Sequence, residues 1–230
     1  MKTIGLIGGM SWESSIEYYR IINQAVHAAL GGVHSARSLM FSVDFAEIET
    51  LQHQNRWDDA TRMMVDAAQK LERGGADFIV ICTNTMHKMA DAVQSAISIP
   101  VLHIADATAR AIKDQGLKHI GLLGTKFTME EDFYKARLIQ KYDLDVLVPG
   151  SDDRLVIHRV IYDELVLGKI NPASQQAYRR IIASLVQQGA EGIILGCTEI
   201  SLLVKEGDSP VPLFDTTRLH ALAAVAYALA

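Results

Sequence analysis

Positive charge is in short supply in this chain. It carries 22 lysines and arginines against 27 aspartates and glutamates, a formal net charge of -5. No basic stripe is available to neutralise phosphates, which argues against a nucleic-acid partner. Cysteine is scarce too, with only Cys82 and Cys197 in 230 residues. The opening Met1-Lys2-Thr3-Ile4-Gly5 reads as a strand rather than a secretion signal. The two cysteines are therefore expected as reduced thiols and not as a disulfide. No apolar run approaches the length that spans a bilayer, so no membrane partner is expected and the expected compartment is the cytoplasm. Gly8-Gly9 follows a strand-like run, yet neither G-x-G-x-x-G nor Gly-Lys-Ser/Thr is formed. It reads instead as a tight turn that lets a backbone come close to a ligand. The eight histidines show no paired ligand spacing, so a metal site has little support. Nothing points to the Schiff-base lysine of a pyridoxal enzyme.

What the chain does have is a copy of itself. Gly75-Ala76-Asp77-Phe78-Ile79-Val80-Ile81-Cys82-Thr83-Asn84-Thr85 and Gly189-Ala190-Glu191-Gly192-Ile193-Ile194-Leu195-Gly196-Cys197-Thr198-Glu199 share one plan. Each is a Gly-Ala-acid turn, an apolar strand and a polar tip. Lys2-Thr3-Ile4-Gly5-Leu6-Ile7-Gly8-Gly9 likewise matches Lys118-His119-Ile120-Gly121-Leu122-Leu123-Gly124-Thr125. Ile99-Pro100-Val101-Leu102-His103 matches Val211-Pro212-Leu213-Phe214-Asp215. Two domain-sized units in the same order indicate a duplication and not a solenoid. Aligned from the Gly-Ala, Cys197 falls on Thr83 and Cys82 falls on Gly196. One copy carries a thiol where the other carries a hydroxyl.

Hydrophobic residues at 49% are enough for sizeable cores. Short apolar runs at Ile4–Ile7, Phe78–Ile81, Ile120–Leu123 and Ile193–Leu195 read as buried parallel strands. Trp57, Ala60, Met63, Met64, Ala67, Ala68 and Leu71 recur at steps of three and four, the apolar face of a helix. Thr128-Met129-Glu130-Glu131 has the form of a capping box for a helix through Phe133 and Leu138. Asn171-Pro172 supplies a cap and first-turn proline for a helix through Ala177 to Leu185. The expected fold is α/β: two pseudo-symmetric doubly wound parallel-sheet domains from an internal duplication. Residues 1–105 with 215–230 form the first half and 106–214 the second, with the active site expected in the cleft between them. The last helix, 218–229, has no counterpart before the second half begins and is expected to pack back on the first half.

Ligands in such folds bind at the carboxyl ends of the strands, where Thr83 and Cys197 fall. Cys197 follows Gly196, read as a flexible point, and precedes Thr198-Glu199 at the start of a helix. A thiol there is expected to have a depressed pKa. Side chains alternate along a strand, so if Thr83 faces the ligand, Cys82 faces packing. Asn84, Thr85 and Thr198 read as carboxylate-binding residues at helix N-termini, or as plain caps. His87 and Glu199 are placed to tune their neighbours.

The residues Gly5-Leu6-Ile7-Gly8-Gly9-Met10, Thr83-Asn84-Thr85-Met86-His87 and Gly196-Cys197-Thr198-Glu199 resemble the aspartate/glutamate racemase superfamily over essentially the whole chain. Trp12, Ser14, Tyr18 and Tyr19 make the opening more similar to the aspartate-racemase branch. The resemblance implies an isomerase that needs no cofactor. In that family two cysteines face opposite sides of the substrate α-carbon, one removing the proton and the other returning it. Here Thr83 stands in the first cysteine's place, and the resemblance implies that the second-half cysteine, Cys197, serves the L enantiomer. The resemblance also puts Gln52 where an arginine often binds a substrate carboxylate, and Lys169 at a second carboxylate-binding position. It places Met10 and Thr128 in stretches that line the site. Family members are often dimers, which implies a homodimer here, although no interface is legible.

A threonine hydroxyl is a far weaker acid than a thiol, but it can donate a hydrogen bond or relay a proton through water. The expectation is rapid α-proton removal from L amino acids at Cys197 and a slow step at Thr83. Because free enantiomers have equal free energy, kcat/KM must be equal in both directions, while α-proton exchange is free to favour L. A one-thiol decarboxylase, a thiol isomerase and a non-catalytic small-molecule binder are the alternative readings.

Overall fold

The computed structural model describes residues 1–230, and the chain divides into two compact units. The first comprises Met1–Ile104 with His220–Ala230, and the second Ala105–Leu219. Chain order begins with β1 (Ile4–Gly8), α1 (Trp12–Leu30), β2 (Ser38–Ser42), α2 (Phe45–His53), α3 (Trp57–Arg73) and β3 (Phe78–Ile81). A 3-10 turn, Thr85–Met89, leads to α4 (Ala90–Ala96), β4 (Val101–Leu102) and α5 (Ile104–Asp114). The second copy runs through β5 (His119–Gly124), α6 (Lys126–Glu130), α7 (Asp132–Tyr142), β6 (Asp145–Leu147) and α8 (Ser151–Asp163). After a 3-10 turn at Leu165–Leu167 come α9 (Pro172–Gln187), β7 (Gly192–Gly196), α10 (Ile200–Leu203), β8 (Leu213–Asp215) and α11 (Thr216–Leu229).

Each unit holds one four-stranded sheet in which every pairing is parallel. The orders are β2-β1-β3-β4 and β6-β5-β7-β8, the same topology twice. Strands covered on both faces must be apolar throughout, and β1, β3 and β7 are buried at every residue. The Gly-Ala-acid turns have a physical reason as well. The Asp77 carboxylate accepts from the Thr3 amide at 2.5 Å, pinning the start of β1. Glu191 accepts from the Lys118 and His119 amides at 2.8 and 2.9 Å, pinning the start of β5. The repeated acid is thus a strand anchor, which sets the register of the central pair in each sheet.

The helix read from the apolar spacing is α3, whose Ala60, Met64, Ala67, Ala68 and Leu71 are buried against Ile7, Ile79 and Ile81. Burying each large side chain of this kind contributes roughly 1.5–3 kcal/mol. Asn171 caps α9 by accepting from the Ala173 amide at 3.0 Å, with Pro172 in the first turn. The Thr128 capping box does not form. The helix through Phe133 and Leu138 is α7, preceded by Glu131 with no side-chain cap, while Thr128 lies inside the separate short α6, whose cap is Thr125, accepting from the Thr128 amide at 3.3 Å. The end of β5 at Gly124 fixes this, because the first polar residue past the strand takes the cap.

The closing helix does have a counterpart. α5 follows β4 as α11 follows β8, which completes the repeat. From Ala105 on, α5 belongs to the second unit, where Asp106 takes both Arg137 (2.6 and 2.9 Å) and Lys141 (2.7 Å). From His220 on, α11 belongs to the first unit, where Ala221, Ala224, Val225 and Ala228 pack with Ile4, Leu6, Phe78 and Val80.

Gly9 takes φ of 90°, and a Cβ there would stand 2.2 Å from the Val43 carbonyl oxygen. The glycine is needed for approach of the chain to itself, since the Val43 amide also donates to the Gly8 carbonyl at 3.0 Å.

Candidate functional site

In the first unit the site residues gather where β1 and β3 end. Beyond β3, Cys82 is fully buried among Ile4, Leu6, Tyr18 and Val80, and burial pushes its thiol far up. Thr83 is partly exposed. Its amide donates to the Ile81 carbonyl at 2.9 Å. Its carbonyl lies 2.7 Å from Nδ1 of His87. Asn84 and Thr85 are buried at the head of the five-residue 3-10 turn, and the Asn84 side chain makes no cap. The regular helix expected there is α4, which begins only at Ala90. Gln52 of α2 is buried and donates through Nε2 to the Met86 sulfur at 3.2 Å, which brings it to the same turn. Met10 is buried with Ile7, Ile48 and Leu51, a packed wall behind the loop after β1. Ser15, which sequence reasoning did not single out, holds that loop. Its Oγ accepts from the Gly9 amide at 2.7 Å and donates to the Ser11 carbonyl at 3.0 Å.

In the second unit the corresponding place is the end of β5 and β7. Cys197 is buried, and its Sγ donates to Oε2 of Glu199 at 3.0 Å. The same oxygen accepts from the Thr198 hydroxyl at 2.7 Å. Glu199 is itself buried at 3% exposure. The depressed thiol pKa expected from the sequence is not found. Burial first, then the neighbouring Glu199 carboxylate, hold Cys197 well above its ordinary value. The reason is local: α10 has four residues and begins after Glu199, too short for a helix dipole to act on the thiol. Gly196 is not a flexible point either. It is a strand residue, and a Cβ there would meet the Leu123 carbonyl oxygen at 2.7 Å. Close approach of β5 is what requires glycine.

Thr128 is fully buried on α6, and a Cβ at Gly124 or Gly196 would lie 3.1 Å from its Cβ or 3.5 Å from its Cγ2. It therefore abuts the strand tips next to Cys197. Lys169 is exposed just past Gly168, and its amide donates to the Glu164 carbonyl at 2.9 Å. The 3-10 turn before it packs against α10, so Lys169 stands at the rim of this group and not among its buried members. Tyr178 of α9 shares the Cys197 core and donates to the Ile157 carbonyl at 3.3 Å. Nothing in the sequence pattern marked it, because its hydrogen-bond partner is 21 residues away in the chain.

No helix is long and apolar enough to cross a membrane.

Known proteins converge on one family. The model of the Asp/Glu/hydantoin racemase family matches residues 7–224. The chain is 26% identical to a Bacillus subtilis protein named broad specificity amino-acid racemase, over 99% of this chain and 98% of that one. A crystal structure from Yersinia pestis, provisionally described as an Asp/Glu racemase, is 56% identical with a TM-score of 0.94 and full coverage of both chains. An aspartate racemase homologue from Pyrococcus horikoshii is 34% identical with a TM-score of 0.86, again over 100% of each chain. Glutamate racemases from Francisella tularensis and Aquifex pyrophilus, 16% and 18% identical, share the fold. With the family model spanning both copies of the repeat and both polar strand tips, the chain belongs to the Asp/Glu/hydantoin racemase family and is an isomerase of that family.

Proposed function

We propose that this protein is a cofactor-independent amino-acid racemase for aspartate- and glutamate-like substrates. Cys197 serves the L enantiomer, and Thr83 delivers the proton on the opposite face of the α-carbon. The observation that carries this reading is the buried thiol 3.0 Å from the buried Glu199 carboxylate. A thiol held above its ordinary pKa is a poor base on its own. The carboxylate that helps to raise that pKa is also the acceptor within reach: the proposed step moves the proton from Sγ to Oε2, uphill in the resting site, and leaves a thiolate beside a neutral acid. The thiolate then takes the α-proton of the L substrate. A solvent proton relayed through the Thr83 hydroxyl completes inversion, and the proton on Glu199 returns to solvent, so protons balance. Asn84, Thr85, Thr128 and Thr198 supply small polar groups for the substrate carboxylates, with Met10 as an apolar wall. Gln52 and Lys169 are the proposed side-chain ligands. Gln52 is neutral, and the Bacillus relative is named for broad specificity, so neutral amino acids belong in the substrate panel.

The test is incubation with the L and D forms of aspartate, glutamate and a panel of neutral amino acids in heavy water, following α-proton loss by NMR and chirality by separation. Exchange and inversion together are the expected result. Exchange without inversion would leave Cys197 as the only working group. No exchange on any substrate would favour a decarboxylase, another carbon acid or a binding protein. In the Thr83→Cys variant, α-proton exchange of D substrates is expected to rise by roughly 10²-fold or more, since a thiol is a much better acid and base than a hydroxyl. An unchanged D rate would remove Thr83 from the mechanism.

A further inference from the structure

We infer that His87 is a positioning residue for Thr83, acting through the Thr83 main chain in one fixed neutral tautomer. The inference rests on the reading of Thr83 given above. The Ile104 amide donates to Nε2 of His87 at 3.1 Å. An amide N–H can only donate, so Nε2 carries no proton. The ring proton is then on Nδ1, which donates to the Thr83 carbonyl at 2.7 Å. The ring is buried at 3% exposure, so water does not compete for either nitrogen. Thr83 is thereby held at both of its peptide groups, the amide on Ile81 and the carbonyl on His87. The residue as a whole remains partly exposed.

The strap reaches beyond Thr83. His220 donates from Nε2 to the Leu102 carbonyl at 2.7 Å, a carbonyl being only an acceptor, and takes the Tyr18 hydroxyl on Nδ1 at 2.9 Å. Two imidazoles of opposite tautomer therefore grip the end of β4, one at the Leu102 carbonyl and one at the Ile104 amide. Their rings meet edge to face, with centroids 5.6 Å apart, and His103 lies 4.6 Å from His87. Ile104 is the last residue of the first unit before the chain leaves it, and His220 is the first on its return. His87 joins Thr83 to the first of these crossing points. A positioning group of this kind acts on proton delivery rather than on substrate affinity, because the relay depends on where the hydroxyl is held.

The test compares wild type with His87→Asn and His87→Gln, measuring L-substrate α-proton exchange and L-to-D inversion in the same samples. Asparagine places an N–H near the Nδ1 position, whereas glutamine places an acceptor near Nε2 and loses the donor to Thr83. His87→Gln is expected to lower inversion by roughly tenfold to a hundredfold while L exchange and KM change less than about twofold. His87→Asn is expected to recover most of the inversion. Equal losses of exchange and inversion in both variants would overturn the inference in favour of a merely structural histidine. So would full inversion in His87→Gln. Nitrogen-15 NMR of the wild-type ring is independent of turnover: a protonated Nδ1 and bare Nε2 are expected, and the reverse tautomer would overturn the geometry. Wild type without exchange would instead refute the racemase reading itself, whatever the tautomer.

Discussion

Cys197→Ala is expected to lower α-proton exchange of L-aspartate and L-glutamate by roughly 10²–10⁴-fold, the range supplied by a positioned general base. In activation free energy this is about 3–5 kcal/mol. The thiol is buried with Leu195, Ile200 and Leu203, so removing one sulfur leaves a small void, and the loss in stability should be modest beside the loss in rate. Circular dichroism and a urea titration on the same preparation separate the two effects. The matched control is Cys82→Ala. Cys82 is packed among Ile4, Leu6 and Tyr18, and nothing polar but the Val80 carbonyl, 3.8 Å away, faces its sulfur. Its loss should lower stability and leave exchange per folded molecule unchanged. If the two variants retain the same exchange rate, neither thiol is the base. If Cys82→Ala alone abolishes exchange, the repeat alignment that paired Thr83 with Cys197 is off by one residue.

That alignment shows how much of the molecule was legible in the sequence. The Gly-Ala-acid turns located the two central strands, and the structure supplies the reason, since Asp77 and Glu191 each anchor the start of the neighbouring strand. α3 and the Asn171 cap were legible because their signals are local and uncontested. The start of α7 was not: Thr128 has the spacing of its cap, but the chain past the strand end at Gly124 forms the short α6 through Thr128, and α7 opens after Glu131 with no side-chain cap. The role of α5 as the counterpart of α11 was hidden because the two sequences diverged while the topology persisted.

The site divides the same way. Cys197 and Thr83 stand out by their position in the repeat. Glu199 is legible as a residue placed to tune its neighbours, since it lies two positions from Cys197; the direction of its effect is not, because the four-residue α10 after it looks in sequence like a full helix start. The bonds from His87 to Ile104 and from His220 to Tyr18 join residues 17 and 202 positions apart, and no local pattern announces them.

Glu199→Gln separates two opposite consequences of that carboxylate. Glu199 raises the Cys197 pKa through its charge and through the hydrogen bond it accepts. If this were its whole effect, glutamine would lower the thiol pKa, enrich thiolate at neutral pH and speed exchange. If Glu199 is the proton acceptor, glutamine keeps the shape and an oxygen for the Thr198 hydroxyl but cannot take the proton. Exchange is then expected to fall by roughly 10²-fold or more despite the lower thiol pKa. The rate should also become steeper in pH, because hydroxide must do what the carboxylate did. Alkylation of Cys197 by iodoacetamide across pH reports the thiolate directly and should shift to lower pH in the variant. Burial still opposes the thiolate there, so the pKa should remain above the ordinary value. Stability carries the same sign. A thiol pKa raised in the folded protein contributes stability that is complete below the unfolded value of about 8.5 and is lost as pH rises towards the folded value. Glu199→Gln should soften that alkaline loss. Faster alkylation together with slower exchange would establish Glu199 as the acceptor. Faster alkylation together with faster exchange would make it only a restraint on the thiol, and the base would then be a thiolate formed without it.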